Sequence, residues 1–109
     1  IIIPCRPNLF DLQAIEDTIG LAKIANKPFI LVFNAIHHTS PLAKDAKEAI
    51  QSKYGNDIDI CPQMLVQRLS YVHAITMGQG VQEYEGKGKA AKEIQNVYNY
   101  ICGHNYINK

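Results

Sequence analysis

Ile1-Ile2-Ile3-Pro4-Cys5-Arg6-Pro7-Asn8-Leu9-Phe10-Asp11-Leu12 decides how the rest of this 109-residue chain is read. Three consecutive β-branched residues leave no polar alternation, so the pattern predicts a strand buried on both faces, as in a parallel sheet. Pro4 has no N–H for a ladder and is expected to stop the strand. Pro7 disfavours helical geometry at Arg6 and keeps the connecting loop extended. Asn8 is then a good helix N-cap, and Asp11 sets a carboxylate near the positive end of the helix dipole. Strand, loop and helix in this order begin an α/β sheet, where ligands collect just beyond the strand ends.

Outward from there, residues 9–25 read as a helix with Leu12, Ile15, Ile19 and Ala22 as its buried stripe. Asn26-Lys27-Pro28 ends it, because the residue before a proline resists the α conformation. Phe29-Ile30-Leu31-Val32-Phe33 is a second continuous apolar strand, ending at Asn34. The two strands and their helix make a βαβ unit with a right-handed crossover. After the loop His37-His38-Thr39-Ser40-Pro41, Ser40 is the expected N-cap and Pro41 the first helical residue. Leu42, Ala46, Ala49, Ile50 and Lys53 share the predicted inner face of that helix, and Tyr54-Gly55-Asn56 closes it by a left-handed cap.

A short strand is expected over residues 58–61, ending at Pro62. Residues 68–77 read as a short helix closed by Gly78, and Val81 to Gly88 as irregular chain. The last helix runs from Lys89 to Cys102, with Ala90, Ile94, Val97, Tyr98 and Ile101 inward, and His104 to Lys109 is expected to fray. The order β-α-β-α-β-α-α predicts one α/β domain, a layered parallel sheet flanked by helices. Three strands are few for such a sheet. The first would present a long apolar edge of the kind soluble proteins avoid, so residues 1–109 are expected to be the second half of something larger.

A net charge of +1 gives no global field toward nucleic acid or an anionic membrane, so any such contact needs a local patch. Cys5, Cys61 and Cys102 match neither a disulfide framework nor a zinc spacing, and the expectation is reduced thiols in a cytoplasmic protein. No apolar run approaches the ~20 residues of a membrane span, and the opening isoleucines are too few for a signal peptide. His37-His38 has no third ligand nearby, and His73 and His104 stand alone, so no metal is expected.

Several stretches together resemble the ParA family, the deviant Walker-type P-loop ATPases that segregate plasmids and chromosomes. They are Ile3-Pro4-Cys5-Arg6-Pro7-Asn8 with Asp11-Leu12, then Val32-Phe33-Asn34, then Gln67-Arg68, Tyr71, Ala74, Gly78-Gln79-Gly80-Val81 and Glu83, then Lys89-Ala90-Ala91 with Glu93-Ile94. The likeness follows the chain in order and covers only the C-terminal half of the family's domain. It implies the C-terminal half of a P-loop NTPase fold. In the intact protein it implies ATP and Mg2+, an ATP-dependent homodimer, non-specific DNA as cargo carrier, a ParB-like activator and a nucleoid-associated location. No G-x-x-x-x-G-K-[ST] occurs here, and Gly86-Lys87-Gly88-Lys89 lacks its spacing, so this chain alone is expected to need no cofactor and to hydrolyse no ATP.

The resemblance implies that Asn34 reads adenine and that Pro62 lies against the base. A carboxamide does match the N6/N7 edge of adenine, and the ordinary alternative for Asn34 is a turn residue. It also implies that basic residues of this half meet DNA, which makes Arg68, Lys87, Lys89 and Lys92 the candidates. The alternatives are an ion pair for Arg68 and a solvated face for the lysines. Arg6 and Asp11 are candidates for the dimer face, with helix capping as the plainer role of Asp11. A MinD-like membrane-cycling ATPase shares the fold, but the tail from Tyr100 to Lys109 holds one lysine and a glycine break, so no membrane contact is expected. The third possibility is a non-catalytic half domain that covers its open edge with a second copy.

Overall fold

A computed structural model of the chain describes residues 1–37, 41–55 and 58–103, the side chains of Leu9 and Phe10 excepted. The expected cap Ser40, the second histidine His38, Asn56 and the tail from His104 to Lys109 lie outside the described residues.

Two parallel strands, β1 (Ile2–Cys5) and β2 (Ile30–Phe33), pair in the register Ile2 with Ile30 through Cys5 with Phe33. Between them runs α1 (Leu9–Ile24). Asn8 caps it as expected, its Oδ1 accepting the Asp11 N–H at 2.9 Å. The far end closes on Asn26, which takes the left-handed conformation at φ 55°. The Asn26 N–H bonds the Lys23 carbonyl and the Lys27 N–H bonds that of Ala22, the paired bonds of a Schellman cap. Pro28 follows this stop rather than causing it.

Pro4 does not end β1. Ile30 N–H donates to the Ile1 carbonyl and Asn34 N–H to that of Cys5, so the odd positions of β1 bond β2. Pro4, at an even position, turns its missing donor to the open edge, where a proline costs the ladder nothing. The expectation of two buried faces holds for β2, where all four residues are buried. It fails for β1, where Ile3 and Cys5 are buried but Ile2 and Pro4 are exposed. One face of β1 therefore has no layer over it among the described residues.

The third predicted strand is an extended segment with isolated parallel bridges, Leu31 to Ile60 and Ile36 to Val66. Leu31 donates to the Asp59 carbonyl and accepts from the Cys61 N–H, both at 2.8 Å. Phe33 O then takes the Leu65 N–H, where an unbroken ladder would offer Gln63. The chain thus detours by two residues between Cys61 and Leu65, and the missing N–H of Pro62 is not the cause, since a position between Cys61 and Gln63 faces away from β2.

Helix α2 (Leu42–Tyr54) buries Ala43, Ala46 and Ile50. Ala46 and Ile50 are buried as expected, but Leu42, Ala49 and Lys53 of the expected inner face are exposed. Lys53 instead pairs with Glu16 of α1, and Lys23 and Lys53 flank the Tyr54 ring at 5.5 and 5.7 Å. Three further helices follow: α3 (Leu69–Thr76), α4 (Val81–Tyr84) and α5 (Lys89–Gly103). The short α4 replaces predicted irregular chain, its first turn held by Glu83 Oε1 on the Gly80 N–H at 3.1 Å. On α5, Ala91 is buried while the predicted core residue Tyr98 is exposed.

The core forms on both sides of β2. Ile3, Cys5, Leu31 and Phe33 pack with Ile15 and Ile19 of α1 and with Ala46 and Ile50 of α2. Ile30, Val32 and Cys61 meet Ile101 of α5 on the other side. Tyr100 donates to Asp59 at 2.5 Å and ties α5 to the third segment. No helix among the described residues is long and apolar enough to cross a membrane.

All three cysteines are free, with Cys5 and Cys61 buried. Burial, and then the Asp11 charge, push the Cys5 thiol up to about 11. Unfolded, it returns to the ordinary value of 9.0, so the stabilising effect is whole below that pH and is lost as pH rises toward 11. In that window the unfolded chain holds fewer protons than the folded one, and stability falls by roughly 2–3 kcal/mol at most. Denaturant unfolding from pH 8 to 11 should show a smaller fall in Cys5→Ala than in the native chain. Equal slopes would exclude Cys5 as the source.

Candidate functional site

The carboxyl ends of β1, β2 and the bridged third segment open into one cleft of about 540 Å³. A crevice beyond the strand ends is where open α/β sheets place their ligands. The loop after β1 contributes Arg6 and Asn8, the end of β2 contributes Asn34 and His37, and the start of α3 contributes Arg68 and Tyr71. Leu42 and Val72 stand exposed at its rim.

Asn34 sits where the end of β2 was expected to put it. Its Oδ1 accepts the Ala35 N–H at 2.9 Å, which helps hold Ala35 at a left-handed φ of 53°. The turn role is thus filled, while the amide nitrogen has no acceptor among the described residues. Pro62 is exposed after Cys61 and does not line the cleft; Val66 and Gln67 form that wall.

Arg68 is engaged in an ion pair. Its Nε and one terminal nitrogen reach the two carboxylate oxygens of Glu93 at 3.3 and 2.9 Å. The side chains are 26 % and 13 % exposed, so the pair is largely sheltered. Glu93 also accepts the Val66 N–H at 3.2 Å, fixing the third segment to α5. The hydrogen bond and charge of Glu93 raise the Arg68 pKa further above its already high value. Tyr71 beside them has a hydroxyl buried without a hydrogen-bond partner among the described residues. Burial, then Glu93, raise its pKa, with Arg68 opposing.

Arg6 pairs with Asp11 through Nε at 2.9 Å. The two candidates for an interface are thus bonded to each other at the start of α1, with Arg6 turned into the cleft lining. Arg68, Lys87 and Lys89 surround a second depression of about 610 Å³ between α3 and the start of α5. Lys92 lies one turn along α5, lining a neighbouring depression with Lys87. None of these lysines has an ion-pair partner among the described residues. No group of three histidine, cysteine or acidic side chains converges as a metal site among them either.

Sequence reasoning missed Glu93, His37, Gln67 and Tyr71. Glu93 and Tyr71 stand within the stretches that resemble ParA, but nothing in a linear pattern shows that Glu93 meets Arg68. Searches with the chain find no matching family model, no similar curated protein and no similar solved structure.

Removing the Arg68 guanidinium should cost roughly 1–2 kcal/mol, since a sheltered bidentate pair exceeds a surface one. Glu93→Ala should cost more, because it also strands the Val66 N–H. Urea unfolding of both variants and the double variant should give a coupling of about 1 kcal/mol. Arg68→Lys should rescue little, since an ammonium lacks the planar fork. Additive losses would show that the pair contributes nothing as a pair.

Proposed function

We propose that this chain is the C-terminal portion of a ParA-type partition ATPase. In this reading its cleft takes the adenine of ATP, and Lys87, Lys89 and Lys92 beside Arg68 contact DNA without sequence preference. The observation that carries the reading is Asn34 at the end of β2, its amide nitrogen unspent among the described residues, in a cleft beyond parallel strand ends. The ordered motifs that resemble the family support it, as does the grouping of Arg68, Lys87 and Lys89 round one depression. An adenine would meet a carboxamide whose oxygen keeps a second lone pair and whose nitrogen is available to N7.

The cleft is of a size that small ligands fill. Residues fitting the base are thus present, whereas no stretch of these 109 residues has the pattern that cradles a triphosphate and its Mg2+. ATP, when bound, supplies the phosphoryl group whose hydrolysis resets the parent protein. This half contributes the base contact, the DNA face and part of a homodimer surface near Arg6 and Asp11. A ParB-like activator and a nucleoid location belong to the same proposal.

Asn34→Asp separates the turn from the base contact. Aspartate still accepts the Ala35 N–H but cannot donate to N7. Adenosine titration should show affinity falling by about tenfold, the order expected for losing one side of a bidentate base contact. An unchanged affinity would remove Asn34 from the site. For DNA, each phosphate-contacting lysine contributes about 0.9 to the slope of log K against log salt. Replacing both Lys87 and Lys89 by alanine in the intact, ATP-loaded protein should flatten that slope by about 2. Both side chains are exposed, so folding is spared. A slope identical to that of the unsubstituted protein would place DNA elsewhere.

A further inference from the structure

The cleft carries a charge pattern that reading a base does not use. Arg6 and Arg68 both line it, and among the described residues no aspartate or glutamate does. Each guanidinium is fixed by a carboxylate that stands outside the lining. Asp11 holds Arg6 by Nε, and Glu93 holds Arg68 by Nε and one terminal nitrogen. Both terminal nitrogens of Arg6 and one of Arg68 remain unspent among the described residues. A guanidinium already fixed at Nε loses less freedom when it makes a further bond. The free fork of Arg6 matches two oxygens of one tetrahedral anion, and Arg68 lines the same cleft with a nitrogen to spare. The Tyr71 hydroxyl, buried and unpartnered, belongs to a residue of the same wall.

We infer that the cleft is an oxyanion site, in which Arg6 and Arg68 together take the phosphate of a phosphate-bearing small ligand. The inference uses the cleft assigned above but does not depend on adenine, since the arginines hold the anion whatever planar group it carries. It moves Arg6 from an interface position to a ligand contact, and it gives Arg68 a role that its pairing with Glu93 leaves intact.

Inorganic pyrophosphate is the probe, titrated at low salt into the intact chain and followed by backbone amide NMR shifts. Saturable shifts should appear at Arg6 and over residues 34–37. The dissociation constant should rise about tenfold in Arg6→Gln, as expected for losing a bidentate charged contact, and stay unchanged in Lys27→Ala, an exposed lysine at the opposite end of the sheet. Arg6 is 65 % exposed, so its replacement spares the core. Shifts confined to residues 86–92, or equal affinity in Arg6→Gln, would overturn the inference. Adenosine titrated into the same variants separates this from the base reading. Adenosine binding without pyrophosphate binding overturns the oxyanion site and leaves the base reading standing. Pyrophosphate binding at residues 34–37 without adenosine binding does the reverse.

Discussion

The bonding of β2 on both edges is the constraint on which the other elements depend. Ile30 and Asn34 donate to β1, while Leu31 donates to and accepts from the third segment. With both edges paired, every residue of β2 can be buried without stranding a peptide group. Burial on both faces then follows from composition, because Ile-Leu-Val-Phe offers no polar side chain to either side. α1 and α2 cover one face and α5 the other. Phe33 and Leu31 are fully buried as a result, and a cavity at either would be felt in every layer at once.

The cleft inherits its geometry from that ladder. All three extended segments run the same way, so their carboxyl ends release three loops at one end of the sheet. Each loop then meets a local device that holds it. Asn8 caps α1 and keeps Arg6 near Asp11, Asn34 braces Ala35, and Glu93 clasps Arg68 together with the Val66 amide. Glu93 therefore does two things with one carboxylate. It docks α5 against the third segment, and it holds a guanidinium at the cleft wall with its charge largely balanced.

Continuous apolar runs made both strands legible, and the stripe Leu12, Ile15, Ile19, Ala22 located the inner face of α1 correctly. Asn8 and Asn34 were legible too, because their roles are local. What sequence could not supply was long-range. The length of β1 was misjudged because the cost of Pro4 depends on which edge its nitrogen faces, a matter of register. Of the stripe expected on α2, Ala46 and Ile50 are buried, while Leu42, attractive as a core residue, lies at the cleft rim and Ala43 is buried beside it. The third strand is cut short by a two-residue detour after Cys61 that no local pattern announces. The Arg68–Glu93 pair joins residues 25 apart, and no periodicity announces such a contact.

The open side of β1 follows from the same register. Ile2 and Pro4 face away from β2, and of these only Ile2 has an N–H to offer a further strand. An added strand could take that donor and the two carbonyls but would find no donor at Pro4. The edge is thus apolar yet poor in hydrogen bonds, which blunts indiscriminate strand addition while leaving Ile2 exposed. The bare face lies on the side where α5 shields β2 but does not reach Ile2 and Pro4. Anything laid over this face would therefore gain affinity from side-chain burial over Ile2 and Pro4 more than from ladder bonds.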